Sequence, residues 1–473
     1  MTKTKPALDL KIRNNLFFIP FILYFIYNFL QTTTFVDSMP VLDTQLLVLF
    51  GFCVGAKAII FDHYTKQSAI FAILFFVVSV IVFFASHYAL TIFICLGIIG
   101  ARQIDFHKIL KWILITSAAL MIIAFLASMF GLIPDLTYSR TGANGKLLHS
   151  FGIIYRTDFA AHLFYLAAGY TYYKKGKLKV YDYLAFIIAT GVIYYFTDTR
   201  TDAALMVLLI IGAALLQFKV TRKIMNKLLS ISWLAIPILA ILINVLTYLS
   251  HPNSKFFDTA NRLLSGRLVY GKIGFTNYGL SPFGKYIPMQ GWGTVKGYEA
   301  ARGNGTINYF VLDSSYVRML LCYGIVLFVI ILLLYTWKTR AFLKQQHYLF
   351  GFIMLLIALS SFVDQHFYEF TYNFLLFTPF AYLPQLKGAL NPELETSAVS
   401  AETAPDPTNE PTAETPTQTD TNSPEPLQSL PSDIKFKADS YFKTINRDDL
   451  KKAEQSKNKT ADDAPDPKED HSK

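Results

Sequence analysis

The chain has 473 residues, 53% of them hydrophobic and 15% aromatic, with 16% charged and a formal net charge of +10. Soluble domains carry more charge and fewer apolar runs, so this composition excludes an ordinary soluble enzyme and predicts an all-α, polytopic integral membrane protein. The charge is divided: from residue 388 onward 18 acidic and 10 basic residues give about −8, leaving about +18 on the rest.

A membrane-spanning helix needs about 20 mostly apolar residues. Taken in chain order, apolar runs centre on residues 16–30, 41–61, 68–86, 88–100, 112–133, 159–173, 183–196, 203–218, 229–249, 316–335, 348–362 and 370–383, which predicts about 12 transmembrane helices. The first run follows Lys11 and Arg13 and is followed by Gln31 and three threonines rather than a small-residue cleavage site. It therefore reads as the first span and not as a removable signal. Cys53, Cys95 and Cys322 all sit inside apolar runs, where they act as small hydrophobes and suggest neither a disulfide framework nor a thiolate metal site.

Short cytoplasmic loops collect Lys and Arg. With the N-terminus inside, the basic stretches "ARQIDFHKILKW", "KKGKLKV", "FKVTRKIMNK" and "YTWKTRAFLKQ" all fall on the cytoplasmic face. An even helix count then puts the C-terminus inside as well. The same assignment places residues 134–157, the corner at 198–202 and a large loop at 250–313 outside. That loop carries Lys255, Arg262, Arg267, Lys272, Lys285, Lys296 and Arg302 against only Asp258 and Glu299 before Asp313. So much outward cation calls for an anionic partner. Within the loop Phe256, Ala260, Leu263, Leu264 and Arg267 recur at helical spacing, which predicts a helix lying on the membrane surface.

Residues 1–387 thus read as one membrane domain. Residues 388–473 are low in aromatics and rich in Pro, Thr and Glu, which predicts a disordered cytoplasmic tail.

The stretch "FTDTRTDAALMVLLIIGA" places Asp198, Arg200 and Asp202 at the mouth of a span. Two readings fit. Asp198 or Asp202 caps the helix while Arg200 snorkels, or the corner is an anion site built from free N–H groups, the helix dipole and a guanidinium. The recurrence of outward arginines at Arg140, Arg156, Arg267, Arg302 and Arg318 favours the second. Arg156, Asp158 and His162 repeat the pattern in "SFGIIYRTDFAAH", and Arg318 lies about one turn into a span, where it either pairs with Asp313 or Asp364 at the interface or serves function. Asp364, His366 and Glu369 in "SSFVDQHFYEFTYNF" are candidate acid/base groups. Their H-x-x-E spacing lacks the further His or Cys residues that a metal site needs. No P-loop, dinucleotide fingerprint, G-x-S-x-G or H-E-x-x-H is present.

Three stretches together, "SFGIIYRTDFAAH", the "TDTRTD" corner, and "LSGRLVYGKIGFTNYGLSPFGKYI" with "YFVLDSSYVRMLLCYG", resemble the Wzy-type polymerases of bacterial capsule and exopolysaccharide clusters, in the O-antigen polymerase/ligase superfamily. The similarity covers about residues 15–385. It implies a multi-pass protein of the cell membrane that joins undecaprenyl-pyrophosphate-linked oligosaccharide repeat units at the outer face. It implies a membrane glycosyltransferase without metal or cofactor, with membrane lipids, a chain-length regulator and a flippase of the same pathway as partners and no nucleic acid. By resemblance Arg200 and Arg156 stabilise the departing pyrophosphate, with Arg267, Arg318 and Arg140 as further phosphate ligands. The base that takes the acceptor proton stays open among Asp158, Asp198, Asp202, Asp313, His366 and Glu369. The alternatives are a ligase moving finished glycan to another acceptor, and a flippase. A flippase predicts charges along a central cavity between symmetric halves, whereas these charges cluster at the outer mouths.

Overall fold

The structure is a computed structural model and describes residues 5–139, 147–251, 254–291 and 309–383. The expected tail from residue 388, together with Arg140, Lys296, Glu299 and Arg302, lies outside the described residues.

Among the described residues the regular structure is helical apart from one short hairpin. In chain order the helices are α1 (Lys5–Leu30), α2 (Asp43–Ile60), α3 (Lys66–Ser86), α4 (Leu90–Gly100), α5 (Phe106–Met129) and α6 (Arg156–Tyr173). There follow α7 (Val180–Thr197), α8 (Arg200–Gln217), α9 (Lys219–Leu229), α10 (Ser232–Leu249), α11 (Lys255–Leu263), α12 (Arg267–Tyr278), α13 (Ser315–Lys344) and α14 (Tyr348–Val363). Between α5 and α6 the strands β1 (Thr137–Ser139) and β2 (Leu147–His149) pair antiparallel, with Tyr138 opposite Leu148.

Seven of these helices, α2, α3, α5, α7, α8, α10 and α13, are long and apolar enough to cross a membrane, and α4 and α14 are shorter apolar helices. The two remaining members of the bundle, α1 and α6, are less apolar for a physical reason. Much of α6 is buried against other helices, Phe159 to His162 and Phe164, Tyr165, Ala167 and Ala168 among its covered residues, so it can carry polar groups where protein rather than hydrocarbon surrounds them.

The bundle has two ends, fixed by side-chain bonds between distant segments. At one, Arg13 near the start of α1 donates to Gln103 at 3.1 Å, and Lys57 near the end of α2 is hydrogen-bonded to Asp62 at 2.7 Å and to the Arg102 carbonyl at 2.8 Å. At the other, Thr32 after α1 meets His162 in α6 at 3.2 Å, and Tyr27 meets Asp43 at the start of α2 at 2.9 Å. Successive helices alternate in direction between these ends, and α9 lies at the end that carries Lys57, where Gln217 at the close of α8 is bonded to the 176–178 loop.

The sequence led to a helix over residues 370–383. Instead this segment is a buried strap of turns with a single short 3-10 piece, Phe374–Phe377. Two residues explain the difference. The Asn373 side chain donates to the Phe367 carbonyl at 2.8 Å and accepts from Leu375 N at 3.1 Å, replacing helical bonds as asparagine readily does. Pro379 lacks an N–H and disfavours helix in the residue before it. The strap still runs the length of the bundle. It packs Tyr372 on His162, then Phe374 beside Tyr172 and Phe377 beside Phe21, then Phe380 beside Phe71, and ends with Tyr382 exchanging backbone bonds of 2.8 Å with Ile104 and Phe106. Irregular backbone inside a helical bundle survives only where protein satisfies it. Here Tyr335 Oη, at 2.6 Å, caps the Leu376 carbonyl, and Thr378 bonds back to Leu375.

The strap is also the centre of the aromatic core. Phe370 lies 5.0 Å from Phe93, 5.6 Å from Tyr24 and 5.8 Å from Phe25, ring centre to ring centre. Such pairs contribute about 0.5–1.5 kcal/mol each beyond burial.

The loop expected to carry one surface helix forms two. Ser265 and Gly266, both at positive φ, break the run, and α12 begins at Arg267 with that side chain turned into the bundle. Past α12, the backbone of Gly284 packs so closely on that of Gly324 that a β-carbon on either would collide with main chain.

Candidate active site

Among the helices that begin at the end of the bundle that holds Thr32 and Asp43 are α6 at Arg156, α8 at Arg200 and α13 at Ser315. The first turn of a helix favours negative charge, and each start supplies an acid: Asp158, Asp202 and, just before α13, Asp313. The turn at residues 364–369, which follows α14, closes over them. It is tied to α13 by a 3.0 Å bond from Ser315 N to the Asp364 carbonyl and a 3.0 Å bond from Phe367 N to Ser315 Oγ.

His366 is the centre of the site. Its Nδ1 is 2.9 Å from Glu369 Oε2 and its Nε2 is 3.9 Å from Asp158 Oδ1, and its side chain is 4% exposed. Its ring stacks on Tyr372 at 3.7 Å, and Tyr372 stacks in turn on His162 at 4.0 Å. Burial works to discharge the imidazole. The hydrogen bond and charge of Glu369, with Asp158 and Asp364 alongside, outweigh it and hold the His366 pKa up at about 9. At neutral pH the ring is therefore an imidazolium between Glu369 and Asp158.

Two arginines join it. Arg267 at the start of α12 donates to Asp364 at 3.4 Å and to the carbonyls of Val363 and Leu264. Arg318, one turn into α13, donates to Gln365 and faces Glu369 electrostatically. Asp313 lies within electrostatic reach of both. Burial pushes its carboxyl up, against the pull of Arg267 and Arg318.

Asp202 is fully buried, and among the described residues neither of its carboxyl oxygens has a hydrogen-bond partner. It lies within electrostatic reach of Asp364, His366, Arg267 and Asp158. Asp364 Oδ2 is also without a partner there.

Of the residues singled out from the sequence, Asp158, Asp202, Asp313, Glu369, Arg267 and Arg318 come together. Arg200 and Asp198 do not. They pair with each other at 3.5 Å on the rim, with the Arg200 side chain 73% exposed. Two residues along a helix is about 200° of rotation, so Arg200 and Asp202 face opposite ways. The cap reading of the corner is not how α8 starts, since its N-cap is Thr199 and no side chain accepts a cap bond there. Asp198 instead takes a left-handed conformation, φ 48°, that turns the chain from α7 into α8. Arg156 bonds the Thr197 carbonyl and so ties α6 to the end of α7.

Tyr372, Gln365 and the stacking role of His162 were not foreseen. For Tyr372 and Gln365 the signal is a dense polar and aromatic run, "VDQHFYEFTYNF", inside apolar sequence. The last turn of α7, Ile193–Thr197, and the Met319–Tyr323 turn of α13 are both π-helical, a distortion that concentrates at functional sites.

The arrangement has five carboxyl groups, one imidazolium and two guanidiniums. His366 and Glu369 bond each other rather than converging on a common point, and no group of three His, Cys, Asp or Glu among the described residues has metal-site geometry. Carboxylates with a proton-carrying ring suit hydroxyl groups and proton transfer, and the guanidiniums suit phosphate. No family model, no curated protein and no solved structure matches the chain.

Proposed function

We propose that the chain is a membrane glycosyltransferase that polymerises lipid-pyrophosphate-linked oligosaccharide repeats at the outer face of a cell membrane. The observation that carries this reading is the clamp of His366 between Glu369 and Asp158 with Arg267 and Arg318 beside it.

The topology behind it has twelve passes, eleven of them helical and the twelfth the 370–383 strap, with both termini cytoplasmic. Its support is the placement of the four short basic connections, at 101–112, 174–180, 218–227 and 335–345, at the end away from the site. Exposed Trp112, Trp337 and Tyr181 toward one end, and Tyr194, Tyr195 and Tyr248 toward the other, suit two interfacial belts. Residues 250–313 are then the large outer loop, and the acidic segment from 388 is a cytoplasmic tail.

In the reaction, a hydroxyl oxygen of the acceptor repeat forms a bond to the anomeric carbon of the donor. The bond from that carbon to the pyrophosphate oxygen breaks, and the pyrophosphate keeps the electron pair. Asp158 takes the hydroxyl proton, with His366 Nε2 3.9 Å from its Oδ1 orienting that carboxyl group. Arg267 and Arg318 meet the charge that develops on the leaving pyrophosphate, and exposed Arg200 receives the lipid-linked phosphate at the rim. No metal or cofactor is required by these steps.

Asp202 favours a second reading. An unpartnered buried acid inside a span is the mark of a proton path, which suits a proton-coupled flippase for the same lipid-linked sugars.

Lipid-linked glycan in a deletion strain, with wild-type or Asp158→Asn copies restored, separates the two. Single repeats stranded on the outer face of the Asp158→Asn strain support the polymerase. Single repeats trapped on the inner face support the flippase. Full-length lipid-linked polymer that never transfers points to a ligase.

A further inference from the structure

At the end of the bundle away from the site, a groove of about 590 Å³ opens between the loop joining α6 to α7, the junction of α8 with α9, and the start of α14. Its walls include Lys175, Lys177, Lys179 and Arg222, with Asn226 and Gln346, and no acid lines it. The nearest acid of that loop, Asp182, is used up: it accepts from Lys179 N at 2.7 Å and from Tyr170 Oη at 3.0 Å. The groove is held open by structure. Gln217 pins the loop through bonds to the Gly176 and Leu178 carbonyls at 2.8 and 3.1 Å, and Arg222 bonds the carbonyls of Leu216 and Gln217 at the close of α8.

A second observation comes from α9 itself. At 100° per residue its cations, Lys219, Arg222, Lys223 and Lys227, occupy one arc with Asn226, and its apolar residues occupy the other. That apolar arc is split. Met225 and Leu229 pack against the core, whereas Val220, Ile224 and Leu228 are 79%, 60% and 63% exposed. A helix that joins two apolar spans and has a bare apolar stripe beside a basic one suits the boundary between acyl chains and headgroups.

We propose that this groove seats the phosphate headgroup of an anionic phospholipid, with α9 lying in the membrane interface and its Val220, Ile224 and Leu228 stripe in contact with the acyl region. Charge complementarity names the occupant: Lys175, Lys177 and Lys179 line the groove and no acid does, while the Val220, Ile224 and Leu228 stripe, on the opposite side of α9 from the groove-lining Arg222 and Asn226, sets the helix at the acyl boundary. The inference is independent of the chemistry at the other end of the bundle.

The test uses the full chain in neutral detergent and short-chain phosphatidylglycerol as probe, with phosphatidylcholine and inorganic phosphate as comparisons, read by mass spectrometry of the intact protein. Wild type is expected to retain phosphatidylglycerol in preference to phosphatidylcholine. The Lys175→Gln/Lys177→Gln/Lys179→Gln variant, altered only at exposed side chains, should bind it on the order of a hundredfold more weakly, about fivefold per lysine. Equal retention by this variant, equal retention of phosphatidylcholine, or displacement by millimolar inorganic phosphate would each overturn the proposal. A spin label at Ile224 in vesicles containing phosphatidylglycerol supplies the second readout. Burial about 5–10 Å into the headgroup boundary supports it, and full exposure to an aqueous quencher overturns it.

Discussion

Glu369 Oε2 lies 2.9 Å from His366 Nδ1, one strand of chain bonding its own ring three residues back, while Asp158 faces the opposite nitrogen from another helix. The bond to Glu369 fixes which nitrogen faces Asp158, the group that meets an incoming hydroxyl. Replacing Asp158 with Asn should therefore remove the proton acceptor while leaving the stack intact. Polymer formation is expected to fall about 10²- to 10⁴-fold, with protein abundance in the membrane unchanged. Normal polymer length from a well-expressed Asp158→Asn protein would remove this residue from the chemistry.

The raised pKa of His366 sets a pH window for stability. The folded value, about 9, lies above the ordinary histidine value of about 6.5. Its contribution is then fully present below about pH 6.5 and is lost as pH rises through about 9. Melting temperatures of the purified protein at pH 6, 7.5 and 9.5, compared with His366→Gln, check this. The difference between the two proteins should shrink as the pH climbs, and a difference that grows would contradict the assignment.

Arg200 offers the opposite kind of test, because it is exposed and its ion pair with Asp198 is 3.5 Å long. Exposed pairs of this type contribute about 0–1 kcal/mol, so Arg200→Ala should leave thermal stability unchanged. If the side chain receives a lipid-linked phosphate, polymer yield nevertheless drops. Yield equal to wild type would confine phosphate binding to Arg267 and Arg318.

Lys57 and Asp62, neither with any exposed side-chain surface, bond at 2.7 Å at the far end, and Lys57 also holds the Arg102 carbonyl. Removing one member strands the other. Lys57→Met alone should destabilise by about 3–5 kcal/mol, and Lys57→Met with Asp62→Leu should recover much of the loss. Thermal unfolding of the three proteins decides it. A double variant no better than the single would mean that the bond to Arg102, rather than the ion pair, holds this corner.

Asn373 tests the strap. Its amide serves Phe367 and Leu375 from a fully buried position, so Asn373→Leu should cost about 1–3 kcal/mol and loosen Tyr372 beneath His366. Loss of activity exceeding loss of folded protein is the expected pattern.

Sequence alone carried the class of the fold, the positions of eleven of the apolar helices and the gathering of basic connections at one end, because apolar run length and loop charge are local properties. The same local reading failed at residues 370–383. There the apolar run is long enough for a helix, yet Asn373 and Pro379 interrupt it, and the irregular backbone is satisfied from distant segments, by Tyr335 at Leu376, Lys338 at Pro379 and Ile104 at Tyr382. It also could not tell which arginines turn inward. Only the tertiary structure decided that, since which side of a helix faces the bundle depends on what packs against it. Arg267 reaches Asp364 across 97 positions, and Arg318 reaches Gln365 across 47. Asp202 and Arg200, two residues apart in one turn, were separated into a buried acid and an exposed cation by helical geometry and packing together.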